Sequence, residues 1–269
     1  MINTSKPKDR IMDRTLLRSK FIKRFSSDPE TIRDIRDIEK IEQIDADERF
    51  PCQSPNEALM LASQAFPKAT AISFLPNGSV SDVPINWTYK EYQEEVYRAA
   101  NMFHSLGLRP DQSVIFLLPN VPQFLFGLWG AQLTGIAAPI NPYLEVEHIA
   151  SIAKSANAKI LVTLAPSQPG GEDLWNKAIK AKSITSDIQQ IIVIGDSQDD
   201  YSSSWDQATR AQPSDRLIFD RPISGTEIAS YFHTGGTTGA PKLAQHTHRR
   251  QVLNVCQMQM TGPRGAENN

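Results

Sequence analysis

The stretch from Tyr231 to Lys242, Tyr-Phe-His-Thr-Gly-Gly-Thr-Thr-Gly-Ala-Pro-Lys, constrains this chain more than any other part of it. Three glycines, three threonines and a lysine fall within the nine residues Thr234–Lys242, with apolar segments on both sides. Glycine admits positive φ and lets the backbone approach a ligand with no Cβ in the way. Successive amide N–H groups in such a turn converge into an anion-binding concavity. Threonine hydroxyls add donors, and a lysine ammonium adds a mobile positive charge. Together these groups suit the β- and γ-phosphates of a nucleotide.

Spacing excludes two other phosphate loops. The G-x-x-x-x-G-K-[ST] loop sets its lysine directly after a glycine. Here Ala240 and Pro241 separate Gly239 from Lys242, and Leu243 follows. The G-x-G-x-x-G fingerprint opens a helix. Gly235, Gly236 and Gly239 lack that spacing, and Pro241-Lys242-Leu243-Ala244 reads as extended. A Thr/Gly loop between two strands remains.

The preceding chain alternates strand and helix patterns. Ile32, Ile35, Ile38, Ile41 and Ile44 recur every three residues in an acid-rich segment, which predicts a narrow-faced peripheral helix. Ser54 precedes an amphipathic stretch from Asn56 to Phe66. Ala71–Leu75 reads as a strand, and Asn77-Gly78 as a hairpin turn into a second strand through Trp87. Thr88 and Glu91 form a capping-box pattern. The apolar stripe Tyr89, Tyr92, Val96, Ala99, Phe103 and Leu106 follows, and Gly107 stands where a left-handed cap is wanted. Strands are expected at 113–118, 136–140, 159–164, 190–194, 226–232 and 241–247, and helices at 121–134, 145–156, 172–182 and 248–260. The last helix is expected to bury Val252, Val255, Cys256 and Met260. Residues 195–215 read as a polar loop with a short helix near Trp205. The alternation predicts an α/β fold with a mostly parallel sheet flanked by helices, and ligands in such sheets sit beyond strand ends.

Composition narrows the partners. With 269 residues the chain can bury a proper core, and a net charge of −2 gives no footprint for nucleic acid. Cys52 and Cys256 make no disulfide framework, so a reducing, cytoplasmic location is expected. The longest apolar run, Phe124 to Ile140, is broken by Gln132, Thr134, three glycines and a proline, and predicts a buried helix plus strand rather than a transmembrane segment. Residues 1–24 are basic without an apolar signal core and read as a solvated extension. Asp199-Asp200 and the His246/His248 pair lack further ligands at metal spacing. His233 is compatible with a substrate contact or with plain packing.

Thr234–Lys242 resembles the phosphate-loop signature of the adenylate-forming superfamily, [ST]-[SG]-G-[ST]-T-G-x-P-K-G. Gly235 takes the Ser/Gly position, as in fatty-acyl-CoA synthetase-like members, and Leu243 departs from the usual glycine. Trp87-Thr88-Tyr89-Lys90-Glu91 is similar to the family's early LTYxEL segment. Gly127–Pro142 looks like its second core segment. Thr247-His248-Arg249-Arg250 follows its T-H-x-N except at Arg250, with the histidine expected to hold the strand–helix junction.

The resemblance implies a ligase that activates a small-molecule carboxylic acid with ATP and Mg2+ to an acyl-adenylate, then transfers the acyl group to coenzyme A. Thr234, Gly235, Gly236, Thr237, Thr238, Gly239 and Lys242 would hold the departing pyrophosphate. It divides the chain into a charged extension (1–49), a partial AMP-binding domain (50–260) and a polar tail (261–269). The family's YGxTE and TGD segments and its adenylating lysine are not found, which leads to the expectation of an amino-terminal fragment. A non-catalytic remnant with weak nucleotide binding is the alternative. The acyl substrate and the oligomeric state are not legible.

Overall fold

The computed structural model describes residues 16, 19, 33–44, 47, 50–197, 202–234 and 242–261. Two compact units are present, Met1–Cys52 with Val252–Asn269, and Gln53–Gln251.

In the first unit, helix α1 (Ile35–Glu42) is capped by the Asp34 carboxylate, which accepts from the Arg36 N–H. None of its residues is buried, so the isoleucine repeat makes a helix without a core face.

The second unit begins with α2 (Pro55–Ala65), whose first turn is capped by Ser54 accepting from the Glu57 N–H at 3.1 Å. Strands β1 (Thr70–Phe74) and β2 (Ile85–Thr88) pair antiparallel. Gly78 takes the positive φ expected of it, +64°. The strands are nevertheless joined by residues 75–84 rather than by a tight turn. The Asp82 carboxylate organises that loop by accepting from the Asn77 and Ser79 amides.

Helix α3 (Tyr89–Ser105) has both halves of the predicted capping box. Its end is a Schellman motif: Gly107 at φ +75° donates to the His104 carbonyl, and Leu108 to the Phe103 carbonyl. Tyr92, Val96, Ala99 and Phe103 are buried as the stripe predicts. The Tyr92 phenol is pushed up by burial, an effect the neighbouring Trp129 side chain opposes.

The chain then runs through β3 (Ser113–Phe116), α4 (Pro122–Thr134), β4 (Ile136–Pro139), α5 (Val146–Ser155), β5 (Ala158–Leu164), α6 (Gly171–Ile184) and β6 (Gln190–Ile194). Next come β7 (Ser202–Ser204), α7 (Trp205–Arg210), β8 (Ile228–Thr234), β9 (Lys242–Thr247) and α8 (His248–Thr261). One seven-stranded sheet has the order β7-β6-β5-β3-β4-β8-β9. All neighbours are parallel except β8 and β9. The central strands β3 and β5 are buried nearly throughout, as strands covered on both faces must be.

Three sequence expectations need correction. Ser202–Ser204 is an edge strand, not loop; with no apolar alternation, its pairing to β6 comes from backbone bonds and a Gln190–Ser203 contact, and Ser197 beyond β6 adds a bond to the Ser202 carbonyl. Val255 is exposed and Cys256 half-buried where both were expected to be buried, while Val252 is buried. Met260 and the Asp199-Asp200 pair lie outside the residues whose side chains are described.

Returning from β7 at one edge to β8, the chain passes through residues 211–227. Asn101 of α3 holds this segment: its Nδ2 donates to the Pro213 and Arg216 carbonyls, and its Oδ1 accepts from the Ile218 N–H, each at 2.9 Å.

Small residues set the spacing between layers. A Cβ on Gly127 would stand 2.5 Å from Phe116 Cε1, and one on Gly130 would stand 2.8 Å from the Ala99 Cβ and 2.9 Å from the Ala100 nitrogen. Gly130→Val should therefore push α4 off α3 and lower unfolding stability by about 1–3 kcal/mol, read as a fall in the urea midpoint. An unshifted midpoint would show that the contact can open without cost.

Candidate nucleotide-phosphate site

The site grows from β8 and β9. Their antiparallel register pairs Ile228 with Thr247 at the base and Thr234 with Lys242 at the tip. The predicted strand–loop–strand arrangement is present, and the loop leaves the sheet at the carboxyl end of a parallel strand, where α/β sheets bind ligands. Gly235, Gly236, Thr237, Thr238 and Gly239 lie outside the described residues, as do Ala240 and Pro241. Thr234 and Lys242, the remaining sequence-predicted site residues, are brought together as cross-strand partners. The Thr234 hydroxyl donates to the Lys242 carbonyl at 3.4 Å. Both residues are exposed, and none of the ion pairs among the described residues uses Lys242. The hairpin mouth thus carries a hydroxyl and an ammonium that has no ion pair among the described residues.

Behind the tip, His233 is half-buried, and its Nε2 accepts from the Asn141 backbone N–H at 3.0 Å. A ring nitrogen that accepts an N–H carries no proton, which places the ring proton on Nδ1, and burial lowers the pKa of this imidazole in the same sense. Asn141 begins the turn after β4. Its side-chain oxygen accepts from the Tyr143 N–H at 2.9 Å, and the Pro142 carbonyl accepts from Lys177 Nζ at 3.1 Å.

The root of the hairpin is polar and buried. Ser230 Oγ accepts from Gln132 of α4 at 2.9 Å and from Gln251 of α8 at 3.0 Å. His248 opens α8, is fully buried, and donates its backbone N–H to the Glu227 carbonyl at 3.0 Å. The bond ties the strand–helix junction through the backbone, and the ring fills space there without a hydrogen bond among the described residues. Glu227 is ion-paired with Arg221, which also reaches the Leu133 carbonyl at 3.4 Å.

The two histidines go separate ways. His246 packs edge-on against Phe232 with ring centroids 5.0 Å apart, whereas His248 is enclosed at the helix start. Among the described residues no group of three His, Cys, Asp or Glu side chains converges as a metal site.

Sequence reasoning missed Gln132, Ser230 and Gln251 as a unit, and the partner of His233. Gln132 was visible only as an interruption of an apolar run.

The family model for AMP-binding enzymes matches residues 61–268, a span that contains the whole Thr234–Lys242 stretch. The chain belongs to the AMP-binding enzyme family. Within that family it is 46% identical over 247 residues to the marinolic acid–CoA ligase of Pseudoalteromonas sp. (strain SANK 73390), covering 92% of this chain and 37% of that protein. It is 33% identical over 173 residues to a crotonobetaine/carnitine–CoA ligase of Escherichia coli O17:K52:H18 (strain UMN026 / ExPEC), covering 63% of this chain and 32% of that one. The chain thus spans roughly a third of the length of these relatives. Among solved structures, a long-chain-fatty-acid–CoA ligase from Archaeoglobus fulgidus superposes with a TM-score of 0.64 at 21% identity, over 77% of this chain and 39% of that one. The helix-flanked parallel sheet is the fold of this AMP-binding family. No helix among the described residues is long and apolar enough to cross a membrane.

Proposed function

We propose that this AMP-binding chain serves an ATP-dependent acid–CoA ligation. A carboxylate of the substrate attacks the α-phosphorus of ATP, giving an acyl-adenylate and pyrophosphate, and the thiol of coenzyme A then attacks the acyl carbon, forming the thioester and releasing AMP. The obstacle is repulsion between an anionic nucleophile and a polyanion, so positioning and charge neutralisation are the main tasks. Lys242 would neutralise the departing pyrophosphate, with Thr234 and the amides and hydroxyls of Gly235, Gly236, Thr237, Thr238 and Gly239 as donors. Mg2+ bound with the nucleotide would supply further positive charge at the phosphate oxygens.

The observation that carries this reading is the cross-strand pairing of Thr234 with Lys242 at the mouth of the family's signature loop. The 46% identity to an acid–CoA ligase supports a small carboxylic acid as substrate. The fatty-acyl form of the loop, with Gly235 in the Ser/Gly position, supports an acid with an aliphatic chain. The cysteine usage supports a cytoplasmic setting.

Coverage of 37% of that relative favours a second reading, in which these residues by themselves hold nucleotide phosphates without adenylating. Carboxylate-dependent ATP–pyrophosphate exchange on the 269-residue chain separates the two. Exchange that Lys242→Ala abolishes supports ligation. Saturable ATP binding without exchange, weakened about 10- to 100-fold by Lys242→Ala as expected for one charged hydrogen bond, supports the binding-only reading. Absence of any ATP or pyrophosphate binding overturns both.

A further inference from the structure

We propose that His233 is the positioning residue of the phosphate loop, hooking the end of β8 onto the hydrogen-bonded turn that follows β4. This inference rests on the phosphate reading of the hairpin and assigns a role to a residue outside the seven predicted to touch the ligand.

Backbone pairing between β4 and β8 is confined, among the described residues, to Ala137 and Ser230. Pro139 lies just beyond and has no N–H to continue the ladder. Beyond Ser230 the strand pairing of β8 among the described residues is with β9 alone, and Tyr231 adds core packing but no hydrogen bond to β4. A side chain takes over. The His233 ring accepts the Asn141 N–H at 3.0 Å, one residue before the loop begins.

The turn at the other end of this bond is anchored independently. The Asn141 side chain closes on the Tyr143 amide at 2.9 Å, and Lys177 of α6 holds the Pro142 carbonyl at 3.1 Å while pairing with Asp173 at 2.9 Å. The hook therefore joins the start of the loop to a fixed point of the parallel sheet rather than to another loose segment. Thr234 is the next residue, so any freedom in β8 passes directly to the phosphate donors. Errors of about 1 Å in such donors are enough to weaken their action.

The test uses His233→Phe, which keeps a ring and removes the acceptor, and His233→Gln, whose side-chain oxygen reaches about as far as Nε2. Two readouts are taken: hydrogen exchange of the Asn141 amide, and pyrophosphate affinity by calorimetry. Loss of one hydrogen bond corresponds to roughly a fivefold change. The Phe variant should exchange the Asn141 amide about fivefold faster and bind pyrophosphate about fivefold more weakly. The Gln variant should restore both. Unchanged Asn141 exchange in the Phe variant overturns the hook. Faster exchange with unchanged pyrophosphate affinity overturns the positioning role, as does a Gln variant that behaves like Phe. A wild-type chain that binds no pyrophosphate overturns the phosphate reading and this role together, a pattern distinct from wild-type binding that the Phe variant leaves intact.

Discussion

Asn101→Leu should strip the chain of a large part of its folding stability. Asn101 is fully buried on α3, and its side-chain amide makes three hydrogen bonds to the 213–218 segment. Leucine matches it in size and leaves the Pro213 and Arg216 carbonyls and the Ile218 N–H without their partner. Each of the three bonds lost is worth about 0.5–1.5 kcal/mol, giving a total of roughly 1.5–4.5 kcal/mol against a typical domain stability of about 5–15 kcal/mol. The urea midpoint followed by circular dichroism should fall by a third or more. Because this segment leads the chain to β8, nucleotide binding should weaken in parallel under conditions where the variant is still folded. A midpoint equal to that of the wild type would mean that the return segment is held by other contacts. Asn101→Asp, which keeps the acceptor and loses the donors, should fall between wild type and Leu or below both, and should not match wild type.

Acid should destabilise the chain through His248. Burial holds this imidazole down to about 4, the Arg221 guanidinium adds to the effect, and the Glu227 carboxylate opposes it. Neither ring nitrogen has a hydrogen-bond partner among the described residues, so the neutral ring is tolerated and the cation is not. In the unfolded chain the same ring titrates near 6.5. Between these values the unfolded state binds the proton and the folded state does not. The contribution of His248 is therefore complete above pH 6.5 and is lost as pH falls through about 4. The whole loss is roughly 3 kcal/mol. Denaturation midpoints from pH 7 to pH 4 should fall steeply in the wild type and less steeply in His248→Phe or His248→Asn. Equal slopes in all three proteins would remove His248 as the acid-sensitive group. Carboxylates whose pKa lies low in the fold, such as those of Asp82 and Glu91, titrate below most of this window and are common to all three.

Much of the architecture was legible because its signals are local. The Thr88/Glu91 box and Gly107 mark both ends of α3 within a few residues of themselves, and both are realised in the structure. Gly127 and Gly130 lie where a Cβ would meet Phe116 and Ala99. The serine-only β7 was missed for the converse reason. An edge strand held by backbone pairing and hydroxyl contacts has no apolar period to display.

The order of strands and helices, the strand–loop–strand setting of Thr234 and Lys242, and membership of the AMP-binding family were all determined by the sequence. Only the tertiary structure decided what steadies that setting. Asn101 finds carbonyls 112 and 115 residues away, Gln132 finds a hydroxyl 98 residues away, and His233 finds an amide 92 residues back. Most of those partners are backbone groups that nearly every residue carries alike. A bond to a backbone group leaves no mark on the partner's identity, so it becomes visible only when the fold has brought the two segments together.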